Sequence, residues 1–253
     1  MPSTAPRKPG AADNDASAGR AKLQPRARAT RLAILTAAAE HFARNGYYAT
    51  SLDRVLADSG GTKGALYFHF ASKEALARAV IAEMVQRWGN LRIQVSKRGL
   101  DPLSALLALV DEVIVRLIDS PIARGGTRLL NDLPIHPDDT YGHYAFGERD
   151  VLALLTEAAR SGLLREGVEP ALVARQLVAL LSGHRQISDA LGNRQDLWQR
   201  VDEAWSLLLP AISTDSWLAE WRASSWASRP RPEVDEDKDE RSNDHPGRAD
   251  SGD

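Results

Sequence analysis

The run Thr62-Lys63-Gly64-Ala65-Leu66-Tyr67-Phe68-His69-Phe70 constrains this chain most, because it is a short helical stretch enclosed by two helical patterns and a turn. Ahead of it, Arg31 to Phe42 places Leu32, Leu35, Ala38, Ala39 and Phe42 at the three-and-four spacing of one helical face. Asn45-Gly46 offers residues that tolerate the left-handed conformation and can end that helix. Thr50-Ser51 supplies cap oxygens for a second helix with Leu52, Val55 and Leu56 inside, and Ser59-Gly60-Gly61 breaks it. Ser72-Lys73-Glu74 opens the next helix. The enclosed run is thus a third element, with Leu66, Phe68 and Phe70 as its apolar anchors. Lys63, Gly64, Ala65, Tyr67 and His69 remain for contact, and the two small residues let a backbone approach another surface closely.

Helix, turn and helix in this order suit the major groove of DNA, where a small-faced helix meets base edges while neighbouring groups hold phosphates. The charge distribution agrees. The chain carries a formal net charge of -2, but Arg20 to Arg78 holds ten cationic residues against four acidic ones, a local excess of six. Nucleic-acid affinity therefore belongs to one patch rather than to the whole surface.

Four segments follow from composition and periodicity. Residues 1–25 are rich in Ala, Pro, Gly, Ser and Asp without periodicity and read as a disordered arm; 26–75 is the DNA-binding unit. Residues 76–228 carry successive amphipathic patterns and form a regulatory domain, and 229–253 is an acidic, disordered tail. Within the regulatory domain a helix runs from Ser72 to about Ser96, and another from Pro102 to Asp119. Ser120-Pro121 starts a segment whose Gly125-Gly126 pair signals either close helix packing or room for a ligand. Leu133 to Tyr144 reads as a long irregular connection before a helix from Phe146 to Ala159. Pro170 to Ile187 and Asp196 to Ile212 each carry more apolar surface than one seam needs, so one side serves the core and another a partner. Trp217, Leu218 and Trp221 mark a short final helix packed on the domain, or else a membrane-surface helix.

The block RATRLAILTAAAEHFARNGYYATSLDRVLADSGGTKGALYFHFASKEALARAV resembles the DNA-binding domain of the tetracycline-repressor-like (TetR) family. TKGALYFHF followed by SKEALA is most similar to the γ-butyrolactone-receptor branch, dimeric repressors that leave their operators when small signalling lactones or furans bind. The resemblance implies an all-α fold: an N-terminal three-helix helix-turn-helix domain joined to a helical ligand-binding and dimerisation domain. It implies that Lys63 and Lys73 hold phosphates, that Thr62, Gly64, Ala65 and His69 lie at or near base edges, and that Tyr67 meets the backbone. Thr50 joins this set at the start of the second helix, and Arg26 and Arg28 form a basic arm able to reach a neighbouring groove or phosphate. One departure is Gly61, where family members usually carry a small or branched apolar residue, so a looser turn is expected.

In the same branch a tryptophan near the start of the helix after the long connection faces the ligand. Tyr144 or Phe146 is the nearest equivalent here, keeping an aromatic wall without the indole donor, and Phe146 equally suits ordinary core. Trp88, Gly126, Thr127 and His184 complete the expected pocket, with His184 either donating to a ligand oxygen or satisfied in the core. Leu177, Leu181, Trp205 and Leu208 are the expected dimer contacts.

No enzyme chemistry is indicated. The chain has no cysteine, its six histidines lack metal-ligand spacing, and no phosphate loop, nucleophile elbow or zinc-protease motif occurs, so neither metal nor cofactor is expected. No apolar run has the length of a membrane span and the first residues form no secretory signal, which leads to a cytoplasmic, soluble protein without membrane contact. The sequence therefore reads as a repressor that binds a palindromic operator in double-stranded DNA as a homodimer and responds to a small apolar signalling ligand. The alternatives are an efflux repressor sensing drug-like molecules, or a receptor-like regulator or helical interaction protein without ligand response.

Overall fold

The computed structural model describes residues 12–133, 137–192, 194–224 and 231. Among them are ten helices: α1 (Ala12–Ala49), α2 (Leu52–Ser59), α3 (Lys63–His69), α4 (Lys73–Ser96), α5 (Pro102–Asp119), α6 (Pro121–Asp132), α7 (Pro137–Arg160), α8 (Pro170–Gly192), α9 (Leu197–Ile212) and α10 (Asp215–Ala223). The fold is all-α, with one isolated bridge between Leu164 and Ser213 as its extended pairing in the described residues.

Side-chain caps explain many of these starts. Thr62 Oγ1 accepts the Ala65 amide and Ser72 Oγ the Ala75 amide, both at 3.1 Å. Asp101 Oδ1 accepts the Leu103 and Ser104 amides ahead of α5, and Ser120 caps α6 with Pro121 at its first position. Each such cap contributes on the order of 1 kcal/mol.

Two boundaries differ from the sequence reading. The first is α1, which runs back to Ala12 through part of the segment expected to be an irregular arm, a stretch whose alanines are strong helix formers. The second is the expected connection from Leu133 to Tyr144, most of which is helical because α7 begins at Pro137. A proline suits a first helical turn. At Gly46, as Asn45-Gly46 foretold, α1 breaks with φ 73° and ψ 175°.

The apolar side chains gather into one core around the helix-turn-helix and others in the regulatory helices. The first joins Ile34, Leu35 and Phe42 of α1, Val55 of α2, Leu66 of α3, Phe70, and Leu76, Val80 and Met84 of α4. It also includes Ile122, Leu129 and Leu130, so α6 is built into the core of the head. The largest of the others links α5 with α7 through α10 around Leu106, Ile114, Leu155, Leu177 and Trp205. Trp88 on α4 packs against all three apolar clusters.

The paired glycines of α6 serve close packing. A Cβ on Gly125 would lie 2.4 Å from the Ala39 carbonyl oxygen, and one on Gly126 would lie 2.6 Å from Met84 Sδ. The last helix packs on the domain, with the Trp217 and Trp221 rings stacked 6.1 Å apart and Trp217 Nε1 donating to Asp101 at 3.0 Å.

Candidate nucleic-acid interface and ligand cavity

Helix α3 turns Leu66 inward, and Phe70 behind it is also buried. Phe68 lies two residues beyond Leu66, about 200° around the helix axis, and is 80% exposed. The expectation that it anchors the helix is thereby corrected: Phe68 belongs to the outer face with Lys63, Gly64 and Tyr67, all exposed. A Cβ on Gly64 would meet nothing nearer than Thr62 Oγ1 at 4.0 Å, so this face is open to close approach. Ala65 is half-buried against the head core, and His69 is half-buried with its ring edge-on to Phe68 at 5.1 Å. Thr62 has its hydroxyl engaged in the cap of α3.

Two expected contacts have other tasks. Thr50 is buried and its hydroxyl donates to the Gly46 carbonyl at 2.7 Å, closing the kink of α1, so it is withdrawn from the DNA-facing set. Ser51, not Thr50, occupies the cap position of α2. Lys73 donates to the Tyr48 carbonyl at 3.1 Å and lies 4.8 Å from the centre of the Tyr47 ring, a cation held over an aromatic face. Burial holds its ammonium below the ordinary lysine value, and burial followed by the charge of Glu74 raises the Tyr47 phenol. Arg31 lies 5.4 Å from the centre of the Phe70 ring and braces α3 from α1. Arg26 and Arg28 are exposed on α1. Gly61 has Ile34 Cγ1 at 3.4 Å from the place a Cβ would take, and its amide donates to Ser59 Oγ at 3.2 Å.

A polar joint ties α6 to the kink of α1. Asp132 Oδ2 accepts the Tyr47 amide at 2.8 Å, while Arg128 Nε donates to both Asp132 oxygens at 3.1 Å. Position 46 calls for glycine because its φ is +73°, where L side chains are strained, and a Cβ there would also lie 2.5 Å from Asp132 Oδ2. Asp132→Ala leaves a partly buried amide without its acceptor and is expected to cost about 1–3 kcal/mol, with Asp132→Asn recovering part by keeping a carbonyl oxygen. Urea melts of the three proteins test this; equal midpoints for all of them would make the joint ornamental.

Beyond the joint lies a cavity of about 340 Å³ between α4, α5, α6, α7 and α8, inside the range of about 300–1,000 Å³ typical of small-molecule sites. Trp88 and Thr127 are among the residues that line it. Leu109, Val110, Val113, Ile114 and Leu117 of α5 and Val178 of α8 supply apolar wall that residue pattern alone does not separate from ordinary core. Leu130 both lines the cavity and is buried in the head core. Arg92 of α4 reaches Asp150 of α7 at 3.2 Å at one side, and Arg185 of α8 lies at another.

Several assignments move. Gly126 faces Met84 rather than the cavity and leaves the pocket set. His184 is half-buried beside the lining residue Arg185 without lining the cavity itself. Tyr144 and Phe146 fall within α7, and their side chains lie outside the described residues. Leu181, expected between subunits, lines the cavity. Leu177 and Trp205 are buried in the core of their own chain and are not available to a partner; Leu208 is partly buried against that core. On α8 and α9 the exposed large apolar side chains are Leu172, Ile187, Leu191 and Leu207. Leu177 and Leu191 both fit an apolar stripe in the sequence, and only the packing of α7 and α9 decides which faces inward.

Residues 34–80 match the profile of the tetR family of bacterial regulatory proteins. The chain is 33% identical over 192 residues to the A-factor receptor protein of Streptomyces griseus, a match covering 75% of this chain and 66% of that protein, just under two thirds of its length. A solved structure of CprB, a TetR family protein of S. coelicolor A3(2), superposes with a TM-score of 0.72 at 30% identity, covering 83% of this chain and all of that one. CprB has also been solved with its biological operator sequence. A γ-butyrolactone receptor described as ArpA-like gives a TM-score of 0.69 at 30% identity, over 81% of this chain and 97% of its own.

Proposed function

This chain belongs to the tetR family of bacterial regulatory proteins, and from that membership we propose that it is a repressor that binds a palindromic operator as a homodimer and is released by a small signalling molecule such as a γ-butyrolactone, butenolide or furan. As a transcriptional regulator related to γ-butyrolactone receptors it acts by binding rather than by catalysis. The observation that carries the ligand-responsive reading is the position of Leu130 and Trp88. Both line the cavity, and both pack against the apolar core that holds α3. A molecule that wedges between α4 and α6 changes the packing of Leu130 and Trp88 and with it the seating of the head. It releases DNA only if it binds that displaced arrangement more tightly than the DNA-bound one.

On the DNA side, Lys63 and Tyr67 reach phosphates, Gly64 admits the backbone to the groove, and Phe68 offers an apolar surface to thymine methyl groups or sugars. Arg26 and Arg28 extend the cationic surface along α1. The exposed Leu172, Ile187, Leu191 and Leu207 supply the apolar faces for pairing with a second copy, which sets two α3 helices on successive turns of one duplex.

The test begins by enriching duplexes from a randomised library with the purified protein. A two-fold symmetric sequence is expected, and Lys63→Ala should lower the salt slope of binding to it by about one unit per monomer. Replacing Arg26 and Arg28 together by alanine should lower it further. Enrichment of no common sequence would contradict the reading.

A further inference from the structure

The polar side of the cavity carries more charge than an apolar effector calls for. Arg185 is 7% exposed and lines the cavity, yet its Nη1 makes only a long contact of 3.3 Å to Asp189 Oδ2. Asp189 is committed to another arginine. Arg194 donates to Asp189 Oδ1 through Nε and to Oδ2 through Nη2 at 3.0 Å, and its Nη1 reaches the Leu117 carbonyl at 2.6 Å. Two guanidinium groups thus share one carboxylate, and the one on the cavity wall holds the weaker share.

Among the described residues Arg185 has no other hydrogen-bonding partner, and its remaining nitrogens are not among the fully sealed, unpaired atoms of the protein. Those nitrogens belong to a side chain that lines the cavity. Arginine does not shed its proton, and a buried cation without a full counter-charge is costly. Arg92, also on the cavity wall, is different: Asp150 pairs it.

We propose that the cavity takes an amphiphilic monocarboxylate, its hydrocarbon body against Trp88, Val110, Ile114 and Val178 and its carboxylate on the guanidinium of Arg185. This rests on the ligand-responsive reading above and puts a carboxylate in place of the lactone as the head group that the cavity selects. A carboxylate matches the planar fork of arginine with two parallel hydrogen bonds, whereas an ester or lactone offers a single uncharged carbonyl acceptor. The apolar walls select the body and Arg185 selects the head.

Matched sets sharing one body and differing in head group provide the test: decanoate, methyl decanoate and γ-decalactone, and 4-phenylbutyrate with its methyl ester and γ-phenyl-γ-butyrolactone. Calorimetry on the unaltered protein is expected to show the acid binding about 10- to 100-fold more tightly than its ester and lactone in at least one set. Arg185→Gln should abolish that preference, and Arg185→Lys should keep part of it. The comparison of acid with ester needs no variant, so it stands even where Arg185→Gln fails to fold. Esters or lactones binding as tightly as the acids, no acid binding in either set, or an undiminished acid preference in folded Arg185→Gln would each overturn the proposal. A lactone that binds and releases the enriched duplex without any acid preference would overturn the carboxylate while leaving the ligand-responsive repressor intact. Acid binding is measured without DNA, so a failure of DNA binding is seen separately.

Discussion

Gly125→Ala is expected to destabilise the protein by about 1–3 kcal/mol, although alanine is the better helix former by about 1 kcal/mol. The cause is the closeness of α1 and α6, the most extensively packed helix pair in the described residues. A methyl group at 125 would lie 2.4 Å from the oxygen, 2.8 Å from Cα and 2.9 Å from the carbonyl carbon of Ala39. All three are backbone atoms in the middle of a helix, so no side chain can swing aside; one helix must move from the other. Gly89 on α4 is the matched control, since a Cβ there meets nothing within 4 Å. Gly89→Ala should leave stability unchanged or raise it by up to about 1 kcal/mol. Gly125→Leu, with three more carbons at the same contact, is expected to prevent folding. Thermal and urea melts monitored by helical circular dichroism check all three, and a stabilised Gly125→Ala would mean that the two helices separate freely.

Much of this joint was legible one helix at a time. Ser72, Pro102 and Ser120-Pro121 marked the starts of α4, α5 and α6 because a cap oxygen and a first-turn proline act within a few residues of chain. The glycine pair of α6 announced something close, but not what approached it, since Ala39 and Met84 are distant in sequence. The same limit governs Asp132, whose partner at Tyr47 lies 85 residues away. Phe68 was misjudged for a local reason: Leu66, Phe68 and Phe70 alternate, and alternation puts side chains on one face of a strand, not of a helix. The cavity was the least legible feature. Val110, Val113 and Ile114 have the composition and spacing of core, and an empty space between helices leaves no mark on either sequence.

The largest functional effect is expected from the exposed apolar side chains of α8 and α9. Leu191 is 74% exposed and Leu207 is 77% exposed, which leaves a sizeable apolar area in water unless a second copy covers it. Leu191→Glu combined with Leu207→Glu should give a folded monomer, because neither side chain supports the core of its own chain. Losing the partner removes the second half-site, and with it an effective concentration that contributes about 10²- to 10⁴-fold to binding. Affinity for the enriched duplex should fall by that order while the helical signal is retained. Leu177→Glu is the contrasting change: Leu177 is buried among α7, α8 and α9 and its charge would unfold the chain rather than separate a dimer. Light scattering on the double variant decides between these outcomes. A dimer of undiminished mass that still binds DNA would place the subunit contact elsewhere.

The outer face of α3 is expected to enter the groove of a duplex, once from each subunit. Because the chain has no cysteine, a single introduced thiol can carry an iron chelate to one known place. Ala71→Cys puts it at an exposed position just beyond α3, and Ser216→Cys puts it at an exposed position on α10. With the enriched duplex bound, the label at 71 is expected to cut the DNA in two clusters related by the symmetry of the site, about one helical turn apart. The label at 216 should cut at background level. Cutting from 216 and none from 71, on a duplex both proteins bind, would contradict the assignment of α3 as the element that reads DNA.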